Sequence, residues 1–205
     1  DGRGGAGNCR VGLDRGTTRV LQVHGGHEVE VGIDRIRAGV EQDHPEPAAN
    51  LTRLGRALTY EKRVPEATAA LEQALAIQER VFGLVHPQTA EALNELGNVA
   101  WTEGKLDLAE ARFRRGLEIY RTVFGERHQF VGVAMSNLAS VLSEKQDYRT
   151  AEDLYRRSIL IYEAVLSPDH VNTGIGHIKL GRTLLRQRRF REATQFQPLF
   201  TLEEI

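Results

Sequence analysis

The side chains able to do chemistry are scattered along this chain, with one exception: His44, His86, His128 and His170 stand 42 residues apart. Recurring histidines invite a metal or acid–base reading. A second invitation is His24-Gly25-Gly26-His27, which could offer two metal ligands. A structural zinc needs about four, so Cys9 and Asp14 would have to be recruited through glycine-rich chain. Gly2-x-Gly4-x-x-Gly7 matches a phosphate-binding loop as a string, but such a loop needs a strand before it and, for a dinucleotide, a helix after it. Ser136, Ser140 and Ser143 have no histidine expected opposite them, and the paired acids Glu203 and Glu204 read as solvated. Arg186, Arg188, Arg189 and Arg191 form a basic cluster that could meet phosphates or an acidic peptide. Apart from Phe190 no aromatic accompanies it, and base stacking needs several. These candidates predict no enzyme, no cofactor, no metal and no nucleic-acid partner.

What must position these residues is the repeat itself. A period of this length indicates stacked units, each burying its apolar face only against its neighbours. Ten residues after each histidine comes Leu54, Leu96, Leu138 or Leu180, followed by Gly55, Gly97, Ala139 or Gly181. Leu58, Ala100, Leu142 and Leu184 lie three further on, and every unit then has an alanine, at Ala67, Ala109, Ala151 and Ala193. Four after the alanine stand Leu71, Phe113, Tyr155 and, in the last unit, Gln197. Leu51, Leu54 and Leu58, like Leu93, Leu96 and Ala100, recur at i, i+3 and i+7, which puts them on one face of a helix. The pattern predicts eight helices, near 47–61, 64–82, 87–102, 106–124, 129–144, 148–166, 171–186 and 190–197, paired as helix A and helix B of units 44–85, 86–127, 128–169 and a truncated 170–205.

Local signals fit that plan. Pro45 and Pro87 stand where helix A begins, a position that tolerates proline because the first amides have no partner in the helix. Gly83 and Gly125 end helix B as C-terminal caps. The histidines just before helix A then read as loop or N-cap residues. Units stack with helices ~8–10 Å apart while ligands lie ~2 Å from a metal, so histidines one unit apart cannot share an ion. Glycine costs ~1 kcal/mol against alanine inside a helix, so Gly55, Gly97 and Gly181 imply close approach of another backbone. Phe190 shares a core column with Leu106 and Tyr148.

Composition narrows the classes further. The 205 residues hold 27 Lys plus Arg and 28 Asp plus Glu, and residues 44–205 hold 21 of each sign. No global basic field draws the chain to nucleic acid or an anionic membrane. No apolar run approaches the length of a membrane span, and one cysteine fits a reducing, cytoplasmic setting. Ten of the 20 glycines fall in residues 1–43, which read as a disordered or weakly structured leader. Within it, Val20–Val23 and Glu28–Val31 around Gly25-Gly26 could form a small hairpin. At the other end Pro198 cannot continue helix B, so the tail either folds back as a cap or the array is cut there. The chain begins at Asp1 and reads as a fragment of something longer.

With the columns in place, the units resemble tetratricopeptide repeats. The carriers are Leu51-x-x-Leu54-Gly55-x-x-Leu58 followed by Ala67-x-x-x-Leu71, the unit length, the long helix B and the junction Gly83-Leu84-Val85-His86-Pro87. The length and junction are similar to the kinesin-light-chain type. The bulky first position of the pattern is filled by Leu51, Leu93, Met135 and His177. The resemblance covers residues 44 to about 196 and implies an all-α, right-handed α-solenoid of helix-turn-helix units.

In that family peptides lie in a concave groove lined by helix A. By position, the resemblance implies a groove formed by Arg56 and Tyr60; Glu91, Asn94, Asn98 and Trp101; Ser136, Ser140 and Glu144; and Ile178, Arg182 and Arg186. Neighbours in the same faces are Thr52, Thr59, Thr102, Val133, Ser143, Ile175 and Leu185. Asparagine amides can bond both donors and acceptors of an extended backbone. Trp101, the only tryptophan, is either a groove-wall anchor or packing against the next helix A. Arg182 and Arg186 could take a carboxylate bidentately. The implied function is a protein-interaction scaffold for a peptide or protein segment. The alternative is the regulatory or sensor tail of a larger bacterial signalling enzyme, such as a Ser/Thr kinase or NTPase, covalently attached upstream.

Overall fold

The computed structural model describes residues 45–166 and 168–199. The leader expected over 1–43, with its hairpin, its Gly2–Gly7 string and its His24/His27 pair, lies outside the described residues, as does His44. The described chain is all helix and turn, in the order α1 (Pro45–Tyr60), α2 (Val64–Phe82), α3 (Pro87–Thr102), α4 (Leu106–Phe124), α5 (Gln129–Glu144), α6 (Tyr148–Val165), α7 (Val171–Arg186), α8 (Phe190–Ala193) and a 3-10 turn over Thr194–Leu199. Odd-numbered helices are the A helices and even-numbered ones the B helices. Each packs on its neighbours in sequence, and each A helix also touches an adjacent A helix at α1–α3 and α5–α7. This is an α-solenoid.

Eight helices were expected, and their bounds agree closely except at the end. Helix B of the last unit is cut to four residues, Phe190–Ala193, and tightens into the 3-10 turn. Pro198 lies within that 3-10 turn and cannot continue an α-helix.

The histidine column caps helices. Nδ1 of His86, His128 and His170 accepts the backbone N–H of Gln88, Phe130 and Asn172 at 3.3, 3.2 and 3.1 Å. Each bond satisfies one of the first amides that the helix itself cannot. His86 and His128 also stack on Phe82 and Phe124, the last residues of the preceding B helices, with ring centroids 4.4 and 4.2 Å apart. One side chain therefore starts helix A and pins the junction to the end of helix B. Gly83 and Gly125 make that junction possible, with φ of 86° and 76° and ψ near 180°, a region that essentially only glycine enters.

The core is the alanine and leucine columns. Ala67, Ala109, Ala151 and Ala193 are all fully buried, as are Leu58, Ala100, Leu142 and Leu184. The glycines of helix A are explained differently from expectation. A Cβ on Gly97 would lie 2.6 Å from the Phe113 ring, and one on Gly55 would lie 2.4 Å from Leu71. A large side chain of the same hairpin's helix B, not a backbone, fills the space. Backbone does come close at Gly116, where a Cβ would sit 3.4 Å from the Ala90 carbonyl oxygen.

The A–B turns share a second feature. Lys62, Gly104, Gln146 and Arg188, one per unit, all have positive φ, between 60° and 73°. Only the second unit places glycine there.

Two stability predictions follow from this packing. Gly97→Ala gains about 1 kcal/mol of helix propensity but overlaps the fully buried Phe113 ring, at a cost of about 1–3 kcal/mol. The expected net result is a lower urea midpoint. Phe113→Leu in the same chain should recover part of the loss, and a double-mutant cycle showing strict additivity would remove the contact from the explanation. Gln146→Gly should raise stability by about 0.5–1 kcal/mol by relieving the left-handed backbone. A lowered midpoint for that variant would show that the turn tolerates its side chain without strain.

Candidate functional site

The wall built by α1, α3, α5 and α7 carries most of the candidate residues, and much of its polar chemistry is spent holding adjacent helices together. Arg56 on α1 reaches α3, donating from Nε to Glu95 and from an Nη to Glu91, each at 2.7 Å. Burial opposes the charge of Arg56, yet the two carboxylates outweigh it and hold its pKa above the ordinary guanidinium value. Glu95 is buried and also accepts from Asn98 Nδ2 at 3.2 Å. Asn137 Nδ2 donates to Asn94 Oδ1 at 3.0 Å, joining α5 to α3. Ser143 meets Thr183 at 3.3 Å, and Arg186 donates to Ser143 at 3.4 Å, joining α7 to α5.

The expected wall residues fall into three groups. Tyr60 is 83% exposed at the end of α1, and Glu144, Arg182 and Arg186 are also exposed. Arg186 lies 3.8 Å from Glu144. Arg56, Glu91, Asn94, Asn98, Trp101 and Ile178 are half-buried. Trp101 packs part of its ring on the core. Ser136 and Ser140 form the third group and are corrections. They are 5% and 6% exposed and face helix B of their own hairpin rather than a groove. Tyr155 donates its hydroxyl to Ser140 Oγ at 2.9 Å, and the Tyr162 hydroxyl faces Ser136. Burial pushes the Tyr155 hydroxyl up to about 12 and the Tyr162 hydroxyl higher still, so both are neutral donors at any physiological pH.

Residues that sequence reasoning passed over complete the wall. Glu95, Asn137 and Thr183 are the receiving or donating partners of expected residues. Their signal was available: each lies one period, give or take three residues, from its partner. Lys179, in the column of Glu95 and Asn137, is half-buried, and burial lowers its pKa.

Two arginines of the basic cluster have acidic neighbours. Arg189 bonds Glu152 and Glu192, and Arg186 is held near Glu144. Phe190, expected in the core, is 59% exposed, whereas Leu106 and Tyr148 in the same column are half-buried. A shallow cleft lies on the turn edge between Leu106, Leu108 and Lys145, but Asp107 and Glu110 already hold Lys145, each at 2.6 Å. Among the described residues no cluster of His, Cys, Asp and Glu could hold a metal ion, and no helix is long and apolar enough to cross a membrane.

Comparison with known proteins agrees with this architecture. The tetratricopeptide-repeat family profile matches residues 46–122 and 130–197. None of the curated proteins matches the chain. Among solved structures, the kinesin-light-chain TPR-like repeats of Podosopora anserina superimpose with a TM-score of 0.65 at 20% identity, over 84% of this chain and 85% of that one. BtubC (BKLC) from P. vanneervenii gives a TM-score of 0.73 at 17% identity, over 83% and 71%. The apo form of RapI gives 0.70 at 17% identity, over 82% and 61%.

The Arg56 lattice yields a test. Glu95→Gln keeps the shape of the side chain but leaves Arg56 with one carboxylate. It should lower stability by about 1–3 kcal/mol, and Arg56→Met with Glu95→Gln should be less damaging than the single change. Equal melting temperatures for Glu95→Gln and the unaltered chain would show that the bond contributes nothing net.

Proposed function

The chain belongs to the tetratricopeptide-repeat family, and we propose that it is a protein-interaction module that holds a peptide or protein segment along the wall of α1, α3, α5 and α7. The observation that carries this reading is the centre of the wall. The bonds between helices consume only half of each amide there. Asn94 bonds across the helix pair through its Oδ1, and Asn98 and Asn137 bond through their Nδ2, which leaves the other end of each amide to a bound segment. Half-buried amides held in place by their other end are preorganised to bond an extended backbone, which lowers the ordering cost of association. Beside them Trp101 presents part of its ring and can anchor an apolar side chain. At the far end Arg182 and Arg186 are exposed and suit acidic side chains of the same segment.

Recognition here is an equilibrium between a preformed wall and a segment, with no covalent step. The fold argues for binding rather than catalysis, because a wall of adjacent helices offers length without a closed pocket. Trp101 is also a built-in reporter, since no other tryptophan competes with its fluorescence. A partner captured from cell extract should shift that emission on titration. Asn98→Ala and Trp101→Ala should each weaken the complex about tenfold, or ~1–2 kcal/mol, with far-UV circular dichroism unchanged. Undiminished affinity in both variants would place the partner elsewhere on the chain.

A further inference from the structure

The chain has four lysines, Lys62, Lys105, Lys145 and Lys179, and the last differs from the others in place and in company. Lys62 is exposed at the first A–B turn. Lys105 meets Glu103 at 2.9 Å, and Lys145 meets Asp107 and Glu110, each at 2.6 Å. A carboxylate so close favours the charged ammonium, which is no nucleophile. Lys179 lies in the middle of α7 and is half-buried. Among the described residues its amine has neither an ion pair nor a hydrogen bond. The nitrogen is not sealed in, however. The enclosed, unbonded side-chain atoms among the described residues are Gln78 Oε1, Gln88 Oε1 and Arg121 Nε.

Register explains the missing partner. Glu95 and Asn137 stand two periods and one period before Lys179. Both bond the helix A that precedes their own, Glu95 to Arg56 and Asn137 to Asn94. On α5, the positions at the spacings of those two bonds from Lys179 are Ser140 and Ser136. Both serines are buried and turned to Tyr155 and Tyr162 of their own hairpin, so that column offers Lys179 no carboxylate. The acids Glu144 of α5 and Glu163 of α6 lie beside Arg186 and His177 instead, at 3.8 and 3.9 Å. Burial without a counter-charge lowers the Lys179 pKa from the ordinary lysine value. A larger share of its amine than of an exposed lysine's is therefore neutral, with a lone pair free to attack.

We propose that Lys179 is a site of covalent acylation, taking the acyl group of a small activated donor, an acyl phosphate. The neutral amine attacks the acyl carbonyl carbon. A C–N bond forms, the acyl C–O bond to phosphate breaks, phosphate leaves, and the proton released from nitrogen passes to solvent. Nothing is oxidised or reduced. The product amide is uncharged, so it occupies the half-buried place without the cost a charge bears there. Acylation also removes one positive charge from α7. This goes beyond the wall reading and does not depend on it, because Lys179 reacts in the free chain.

The test incubates the whole chain with limiting acetyl phosphate at neutral pH and follows acetylation of each lysine by peptide mass mapping. The other three lysines are internal controls. Lys179 should react about fivefold faster than Lys62, and faster still than Lys105 and Lys145. In urea the four should become equivalent, since the preference comes from the fold. Lys179→Arg should abolish the fast site and leave the other three rates unchanged. Lys179→Met should raise the urea midpoint, because it removes a half-buried charge that has no partner. A parallel reaction with an acetyl thioester separates the two donor types. A preference for Lys179 with acetyl phosphate supports the assignment, and a preference with the thioester alone overturns it. The inference also fails if Lys179 reacts no faster than Lys62, if its preference survives in urea, or if Lys179→Met lowers the midpoint.

Discussion

The distance between the two helices of each hairpin is the constraint from which the rest of the structure follows. It is set by a small residue on helix A receiving a large one from helix B: Gly55 takes Leu71 and Gly97 takes the Phe113 ring, at separations that leave no room for a Cβ. Gly132 takes Tyr162 in the same way, about two turns earlier on α5. Because the large side chain enters the helix surface rather than resting on it, the hairpins are thin. Thin hairpins let each A helix reach the next with a side chain as short as serine or asparagine, as at Ser143–Thr183 and Asn137–Asn94. The continuous wall is thus a consequence of intrahairpin packing. Overpacking one glycine would displace a rung of the wall as well as a piece of core.

That wall illustrates the two uses of a polar residue on a half-covered face. Where a neighbouring helix covers it, the group must be bonded, since an unbonded buried polar atom costs as much as the bond would return. Ser136 and Ser140 meet that requirement by turning inward to tyrosines, and Glu95 by gathering Arg56 and Asn98. Where the cover is partial, an amide divides itself, one end tied across the helix pair and the other toward solvent. Asparagine can do this and serine cannot, because only the amide separates donor and acceptor by the width of the group. This is why Asn94, Asn98 and Asn137 carry the proposed recognition and the serines do not.

Most of the fold was legible in the sequence because it is written in period. Leu51, Leu54, Leu58 and Ala67 repeat with enough fidelity to set every helix, and the histidines before helix A and the glycines after helix B mark the junctions. What was not legible is which residue faces each position. Ser136 occupies the same column as Asn94, yet it is buried where Asn94 is half-buried, with Tyr162 of its own hairpin beside it. Phe190 matches Leu106 and Tyr148 by column but lies exposed where they are half-buried. The reason for Gly97 was misread for the same cause: spacing shows that a small residue is needed, but only the facing residue, Phe113, shows whether a side chain or a backbone requires it. Periodicity identifies the face and leaves its occupant open.

The junctions between hairpins are not equivalent, and the difference bears on which part of the wall can adapt to a partner. At the first junction the ionic contact lies on the wall itself, Arg56 to Glu91 and Glu95. A further pair there, Arg115 to Glu79, joins the B helices. At the next two junctions Arg186 lies 3.8 Å from Glu144 on the wall, and the shortest ionic contacts lie at the A–B turns. There Lys145 holds Asp107 and Glu110, and Gln187 with Arg189 holds Glu152. The columns explain the switch: where the later junctions have Glu110 and Lys145, the first has Thr68 and Glu103, which cannot pair ionically. Lys145 draws the Glu110 carboxyl below its usual range. Burial would raise Glu152, but its hydrogen bonds to Gln187, Arg189 and Arg156 bring it down as well. A carboxyl with a depressed pKa in the folded chain adds stability above its unfolded pKa and loses it as pH falls through the folded one, so both turn-edge clasps are intact at neutral pH. With those clasps on the far edge, α5 and α7 are tied at their turns while their walls carry few charged bonds between helices. The first junction is locked across the surface a partner would use, and the later ones are locked behind it. A segment binding along the wall therefore meets a fixed polar end at α1 and α3 and a more open, basic and apolar end at α7.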